Sequence, residues 1–218
     1  MTTKFEITDQ AHPANPNLHR IRALRDIPRW EVKAGDLGGW IEKETSLNQS
    51  GNAWVSGDAQ VSGNAWVYGD ARVYGGARVY GDAQVYGGAR VSGNAWVSGD
   101  AQVSGNAWVS GDAQVYGDAQ VSGNAWVYGD AWVAHRDHLL TAAVMASDLW
   151  PATLTPTSGG GHRLRVGCWT GTVAQFRAMV ESDQWVEADP ETITLRRPEL
   201  LAFAAMCQAR VDTWTAQS

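Results

Sequence analysis

A strict six-residue repeat runs from Gly51 to Val133 and constrains the fold more than any other feature of this chain. Each repeat reads G-[N/D/G]-A-[W/Q/R]-V-[S/Y], with alanine two residues before every valine. Alanine and valine therefore alternate with larger or polar residues, which is the pattern of a strand with one apolar face. Glycine followed by Asn, Asp or Gly suits a tight corner with positive φ. Each repeat is thus predicted to form one short strand and one corner.

A single repeat cannot bury its Ala/Val face, but stacked coils pair as parallel strands and enclose a continuous apolar column. A glycine at every sixth position argues against a helix in this tract. We therefore predict a mainly β fold: a parallel β-solenoid over 51–134, an N-terminal cap over 1–50 and a small α+β module over 135–218. Ile41 and Leu47 are six residues apart and extend the valine column backwards, with a two-residue slip in 48–54.

The flanking segments carry weaker signals. Residues 1–17 are polar and predicted to be irregular at first, and Leu18–Leu24 to be a strand. Thr172 with Gln175 forms a capping-box sequence that opens a helix, and Pro198 suits the first turn of a second one. The arginines near the N-terminus form either a solvated face or an anion or acidic-partner site; they are Arg20, Arg22, Arg25 and Arg29.

The unit Val67-Tyr68-Gly69-Asp70-Ala71-Arg72 resembles the bacterial transferase hexapeptide motif, with an aliphatic residue first and a small residue fifth. The resemblance implies a left-handed, three-sided β-helix with three repeats per coil, hence about five coils here. It also implies a homo-oligomer, a dimer or trimer. Two flanking motifs resemble a group of phage and prophage hexapeptide-repeat proteins: Leu18–Arg25 followed by Gly35–Glu42, and Gly167–Thr172 with Phe176. That resemblance implies a viral origin and the cytoplasm of a bacterial host.

Charge and cysteine content narrow the classes of function. The net charge is −6, and residues 51–134 are acidic, so nucleic acid is not an expected partner. We expect Cys168 and Cys207 to be reduced in a cytoplasm, with Cys168 interpreted as a buried thiol. Without a signal peptide or a long apolar run, we predict a soluble intracellular protein that does not enter membranes.

Catalytic side chains are scarce where the related fold would need them. Residues 51–134 contain no histidine, cysteine, glutamate or lysine, so no catalytic residue of the resembling acyltransferases finds a match. We predict no enzymatic activity, no cofactor and no metal site. His135 and His138 form H-x-x-H, but a metal site needs more ligands in a defined geometry.

The residue before each valine points outward, and with 18 residues per coil these residues form three stacks. We name them face A, face B and face C. Face A holds Trp54, Arg72, Arg90, Trp108 and Trp126; face B holds Gln60, Arg78, Trp96, Gln114 and Trp132; face C holds Trp66, Gln84, Gln102 and Gln120. Arginine beside tryptophan permits cation–π contacts, and stacked glutamines predict amide ladders.

Four consecutive repeats carry an outward tyrosine, and these residues are predicted to girdle the solenoid rather than to form one ladder. With Arg72, Arg78 and Arg90 they would make an aromatic and basic belt. These tyrosines are Tyr68, Tyr74, Tyr80 and Tyr86. Exposed tryptophan on a flat face either stabilises the solenoid or marks an interface.

We therefore expect a non-enzymatic binding or scaffold protein of phage type, acting through its faces and its C-terminal module. A host protein is a candidate partner, and inhibition or decoying of a host or defence protein is the concrete form of this hypothesis. The alternatives are an enzyme similar to hexapeptide acyltransferases and a structural component of a virion.

Overall fold

The computed structural model describes residues 3–144, 150–182 and 190–217, which form two compact units. The first unit comprises residues 1–130 and 134–136, and the second comprises 131–133 and 137–218. The first is a parallel β-solenoid of about five turns, as predicted, and the second combines a small sheet with helices.

The solenoid is built from two-residue strands, one in each repeat. They are β4 (Trp54–Val55), β5 (Gln60–Val61), β6 (Trp66–Val67), β7 (Arg72–Val73), β8 (Arg78–Val79), β9 (Gln84–Val85), β10 (Arg90–Val91), β11 (Trp96–Val97), β12 (Gln102–Val103), β13 (Trp108–Val109), β14 (Gln114–Val115), β15 (Gln120–Val121), β16 (Trp126–Val127) and β17 (Trp132–Val133).

Strands three repeats apart pair in parallel, so the solenoid has three sides, as predicted. One sheet has the order β4-β7-β10-β13-β16 and another β6-β9-β12-β15, while β5, β8, β11 and β14 form the third. Every repeat valine from Val55 to Val133 is fully buried, and the repeat glycines have φ between +61° and +72°, which confirms the strand-and-corner prediction. The left-handed winding stays a prediction from the resemblance.

The N-terminal segment closes the first coil. It contains β1 (Phe5–His12), β2 (Asn15–Ala23) and β3 (Leu37–Ile41), where β1 and β2 are antiparallel and β3 pairs in parallel with β5. Ile41 lies opposite Val61, and Leu47 opposite Val67, so both continue the valine column across the two-residue slip, as predicted. The polar segment 1–17, predicted to be irregular at first, is already a strand from Phe5 onward, so the irregular stretch is shorter than predicted.

The second unit contains an antiparallel sheet of β18 (Leu140–Val144), β19 (Trp150–Pro156), β20 (His162–Val166) and β21 (Trp169–Gly171). Two helices follow, α1 (Val173–Glu181) and α2 (Pro190–Gln217). Thr172 and Gln175 form the predicted capping box, with the Thr172 oxygen accepting from the Gln175 N–H at 3.2 Å. The prediction for Pro198 is wrong: it lies inside α2, and Pro190 begins that helix.

The core of this unit is separate from the valine column. Both helices line it: α1 contributes Val173, Phe176 and Val180, and α2 contributes Leu200, Phe203, Ala204, Cys207 and Trp214. Burial raises the pKa of the Cys207 thiol to about 12, so this thiol stays protonated. Cys168 is exposed, which corrects its interpretation as a buried thiol. None of the described helices combines the length and the apolarity that crossing a membrane requires.

Candidate functional site

The outward residues stack as the 18-residue coil predicts. On face A, Arg72 lies between Trp54 and Arg90, and Trp108 between Arg90 and Trp126. On face B, Gln60, Arg78, Trp96 and Gln114 follow one another. On face C, Trp66, Gln84, Gln102 and Gln120 do the same. Each ladder is set by the parallel pairing of the valines beside it.

Face A carries the densest set of aromatic and guanidinium groups. The rings of Trp108 and Trp126 meet edge to face, with centroids 5.0 Å apart. The guanidinium carbon of Arg90 lies 5.9 Å from the Trp108 ring centroid, and the Trp108 indole N–H donates to Ser92 at 3.2 Å. Trp126 is 38% exposed. Indole and guanidinium groups are the types most often found at the centre of protein interfaces.

Trp54, the first predicted residue of face A, does not belong to this surface. It is 1% exposed, so it cannot contact a partner. The prediction of Trp54 as a binding residue is therefore wrong. The reason is the cap: the N-terminal segment covers the first coil, where β3 lies against β5 and Lys4 donates to the Ala53 carbonyl oxygen. Burial of this indole serves the closure of the solenoid.

A tryptophan from outside the repeat, Trp30, contacts the arginines of face A instead. Trp30 ends a short 3-10 turn, Pro28–Trp30, and is 8% exposed. Three guanidinium carbons lie over its ring, those of Arg29, Arg72 and Arg90, at 5.2, 5.3 and 5.4 Å from the centroid. We call these four residues the Trp30 cluster.

Arg72 contacts a second aromatic ring besides that of Trp30. Its guanidinium carbon also lies 4.9 Å from the ring centroid of Tyr74, so one guanidinium contacts two aromatic rings. The Arg72 Nε–H and the Trp30 Nε1–H are both buried, and neither has a hydrogen-bond partner in the described part of the chain. A buried N–H without a partner carries an unfavourable desolvation energy, so these two donors favour an acceptor supplied from outside.

A surface pocket of about 300 Å³ opens at this cluster, and its lining is predominantly basic and aromatic. The lining residues are Pro28, Arg29, Trp30, Glu31, Arg72, Tyr74 and Arg90. Arg29 is partly neutralised, because its Nε lies 3.7 Å from the carboxylate of Asp70. No ion pair in the described ranges involves Arg72 or Arg90. The pocket therefore presents two guanidinium groups without a carboxylate partner.

The predicted tyrosines divide among different contacts. The four tyrosines girdle the solenoid rather than form one ladder, as predicted, and the first and last of them, Tyr68 and Tyr86, stack at 4.9 Å with an interplanar angle of 6°. They lie 18 residues apart and are therefore one coil apart on the same side. Burial, with a smaller contribution from Tyr86, raises the pKa of Tyr68. Tyr74 contacts Arg72, and Tyr80 meets Trp96 edge to face at 6.3 Å.

The glutamines of face C do not form the predicted amide ladder. Their side chains accept from the tyrosines instead: Tyr68 donates to Gln84 at 3.3 Å and Tyr86 to Gln102 at 3.4 Å. A phenol at the next outward position reaches the amide oxygen of the coil above, which leaves face C as a mixed aromatic and amide surface. Trp66, at its first rung, is 39% exposed and stacks on Tyr68 with centroids 4.0 Å apart.

Face B is the least clustered of the three. Arg78 lies over the ring of Trp96, with 5.4 Å between its guanidinium carbon and the centroid, and Trp96 is 40% exposed. Trp132 groups with the second unit, where it is equally exposed and lines a pocket together with His162 and Trp214. Within the described ranges, no group of three or more His, Cys, Asp or Glu residues is placed to hold a metal ion.

The comparisons agree with this architecture. The model of the YdcK beta solenoid repeat matches residues 59–75, 65–81, 83–99, 101–117 and 119–134. The repeat tract is similar to this family of repeats. The matched stretches cover roughly a third of the chain and include Arg72, Arg90 and Trp108, but they exclude Trp30. No curated protein matches the chain.

Trp30 is the functional candidate that the sequence prediction missed. It lies outside the repeat, so no periodicity places it over β7 and β10. One signal was available: on face A, tryptophans occupy the rungs on either side of Arg72 and Arg90, and a lone Arg-Trp pair follows a proline in the cap. The proline-initiated turn directs Arg29 and Trp30 onto those two rungs.

Proposed function

We propose that this chain is a non-enzymatic binding protein whose partner, another protein, docks on face A at Trp108 and Trp126. The observation that carries the proposal is the contiguous pair of indole rings on a flat sheet, continued by Arg90. Large rigid aromatic groups that lose their remaining exposure on binding supply most of the energy of a protein interface.

The chemistry of the solenoid supports binding over catalysis. Its outward side chains are Trp, Gln, Arg, Ser and Tyr, with Asn and Asp at the corners. None of these is paired with a histidine, lysine or glutamate of the repeat tract that could move a proton, because the tract has none. The regular stacking instead offers a long, rigid and repetitive surface, as solenoids that bind partners do.

The origin of the partner is part of the same proposal. The resemblance to phage and prophage hexapeptide-repeat proteins, and to transferase hexapeptide proteins, supports a partner from the bacterial host and a location in the host cytoplasm. A host or defence protein that is inhibited or decoyed by face A fits this hypothesis. We also propose that the chain forms a homo-oligomer, a dimer or trimer.

Removing both indoles of face A tests the proposal. The double variant Trp108→Ala/Trp126→Ala is expected to recover at least about tenfold less partner from a bacterial lysate than the wild type, because each indole is a candidate hot spot. The matched control is Gln102→Ala/Gln120→Ala, which truncates the same outward positions of the same coils on face C. Equal recovery by the tryptophan variant and the wild type would contradict the proposal.

The mass of the purified chain in solution separates the two kinds of partner. One chain has a mass of 23.5 kDa. If face A binds another copy of this chain, light scattering will show a dimer or trimer that the tryptophan variant converts to monomer. If the assembly state is the same for both proteins while recovery falls, then face A binds a different protein. If the glutamine control also lost partner recovery and the oligomer, the truncations would be acting through folding.

A further inference from the structure

We propose that the Trp30 cluster is a binding site for a tetrahedral oxyanion, the phosphate group of a small ligand. The proposal is separate from protein docking at Trp108 and Trp126, because it is centred on Trp30 and Arg72 at the other end of face A; the two surfaces share Arg90. It goes beyond a general basic patch, since the arginines are held in place and oriented by two aromatic rings.

Charge density is the first argument. Three guanidinium carbons lie within 5.4 Å of one ring centroid. Among the described residues, only the carboxylate of Asp70 pairs with one of these arginines. Glu31 also lines the pocket, but no ion pair in the described part of the chain involves it. Cation–π contacts with Trp30 offset part of the mutual repulsion of the arginines. A bound dianion would offset the remaining repulsion between the guanidinium groups.

Unused hydrogen-bond donors are the second argument. Trp30 is more than nine-tenths buried and lines the pocket, yet its Nε1–H has no partner among the described residues. The Nε–H of Arg72 is also buried and has no hydrogen-bond partner among the described residues. A phosphate offers strong acceptor oxygens to several donors at once, whereas a carboxylate offers two oxygens in one plane. Three arginines and an indole side chain that line one pocket therefore suit a tetrahedral dianion better than an acetate-like group.

Preorganisation is the third argument. Arg72 contacts both Trp30 and Tyr74, with its guanidinium carbon 5.3 and 4.9 Å from the two ring centroids. Its planar fork has thus lost much of its freedom before any ligand arrives, which lowers the entropy cost of binding. Arg90 comes from the next coil, and the pairing of β7 with β10 fixes its separation from Arg72.

The negative net charge of the chain argues that phosphate would bind only at a local basic site. The whole chain carries −6, so long-range electrostatics repels anions from the protein as a whole. Binding of phosphate would therefore need a local site. The pocket of about 300 Å³ falls at the small end of the range for ligand sites, which fits a phosphate group with a short substituent.

Calorimetric titration of the full chain with inorganic phosphate, at constant ionic strength, tests this site. We expect saturable binding to the wild type, weakened at least about tenfold in Arg72→Gln and in Arg90→Gln, because each loses a charged donor. Sulfate is expected to compete with phosphate, and acetate is not. The matched control is Arg78→Gln on face B, which removes the same charge at the same repeat position beside one tryptophan; it should bind phosphate within about twofold of the wild type.

The variants are chosen to fold. Glutamine already occupies the equivalent outward position at Gln60, Gln84 and Gln114, so the repeat accepts it. Arg90→Gln also keeps the contacts of Arg72 with Trp30 and Tyr74. Absence of phosphate binding by the wild type would overturn the proposal. So would equal weakening by Arg78→Gln, which would indicate non-specific attraction, or acetate binding as tight as that of phosphate. Partner recovery by Trp108→Ala/Trp126→Ala is a separate readout, so the two proposals can fail separately.

Discussion

Replacing Gly105 with alanine is expected to destabilise the solenoid by about 3 kcal/mol or more, whereas the same change at Gly123 should cost about 1 kcal/mol. Both glycines have φ near +66°, so the penalty for placing alanine in the left-handed region is common to both. They differ in their surroundings. A Cβ at Gly105 would lie 2.8 Å from the backbone nitrogen and 2.9 Å from the carbonyl oxygen of Gly123, but one at Gly123 meets no described atom within 4 Å.

The comparison isolates the stacking of corners from backbone strain. Chemical unfolding followed by circular dichroism gives the free energy of unfolding for the wild type and both variants. A difference of about 2 kcal/mol between the two variants is the cost of forcing two coils apart at one corner. Equal destabilisation of both would show that the conformation of the glycine, and not the contact between coils, explains its presence in each repeat.

The solenoid was predictable because its signal is periodic. Alternation of alanine and valine identified the buried side, and the spacing of Ile41 and Leu47 identified the residues that continue the column below Val61 and Val67. The segments that were predicted wrongly lack such a period. The strand β1 reads FEITDQAH, a polar sequence whose backbone pairs with β2 although only Phe5 among its eight residues is buried. Its pairing depends on the hairpin with β2, and no alternation of apolar and polar residues in the sequence predicts that hairpin.

The candidate site was predictable in part, for the same reason. Arg72 and Arg90 lie on adjacent rungs because the coil length dictates it. The predicted contact of arginine with a neighbouring tryptophan of face A is confirmed for Arg90, which lies over Trp108, whereas Arg72 lies over Tyr74 and Trp30. The identity of the ring that joins them was not predictable. Trp30 reaches them through the path of a non-repetitive cap, fixed by the Ile27–Val32 bridge and the turn between those residues. Tertiary packing of an irregular segment is long-range information that local patterns do not contain.

The contact between the N-terminal segment and the first coil predicts that the stability of the protein depends on pH. Backbone N–H groups of each coil donate to carbonyls of the next, as Trp54 does to the Ala71 oxygen at 2.9 Å. The Ala53 oxygen lies on the first coil of face A, and the side chain of Lys4 supplies its donor, at 2.7 Å from Nζ to oxygen. Lys4 is fully buried. Burial, assisted by the positive charge of Arg25, lowers the pKa of Lys4 to about 8.

The lowered pKa couples folding to the loss of a proton. In the unfolded chain this lysine keeps the ordinary pKa of 10.5, so between about pH 8 and that value the unfolded state binds more protons than the folded state. Stability contributed by Lys4 therefore rises with pH through this window and is lost as the pH falls through the folded pKa. A difference of one in pKa corresponds to about 1.4 kcal/mol, and a neutral amine still donates to the Ala53 oxygen.

We expect the free energy of unfolding of the wild type, measured relative to Lys4→Met, to rise by about 2 kcal/mol between about pH 7 and pH 10. The comparison cancels the tyrosines and other groups that titrate in both proteins. Lys43→Met is the matched control, since Lys43 is exposed, and its difference from the wild type should stay nearly constant over the same range. A constant difference for Lys4→Met as well would mean that the amine is solvated in the folded protein, and that another donor satisfies the first coil.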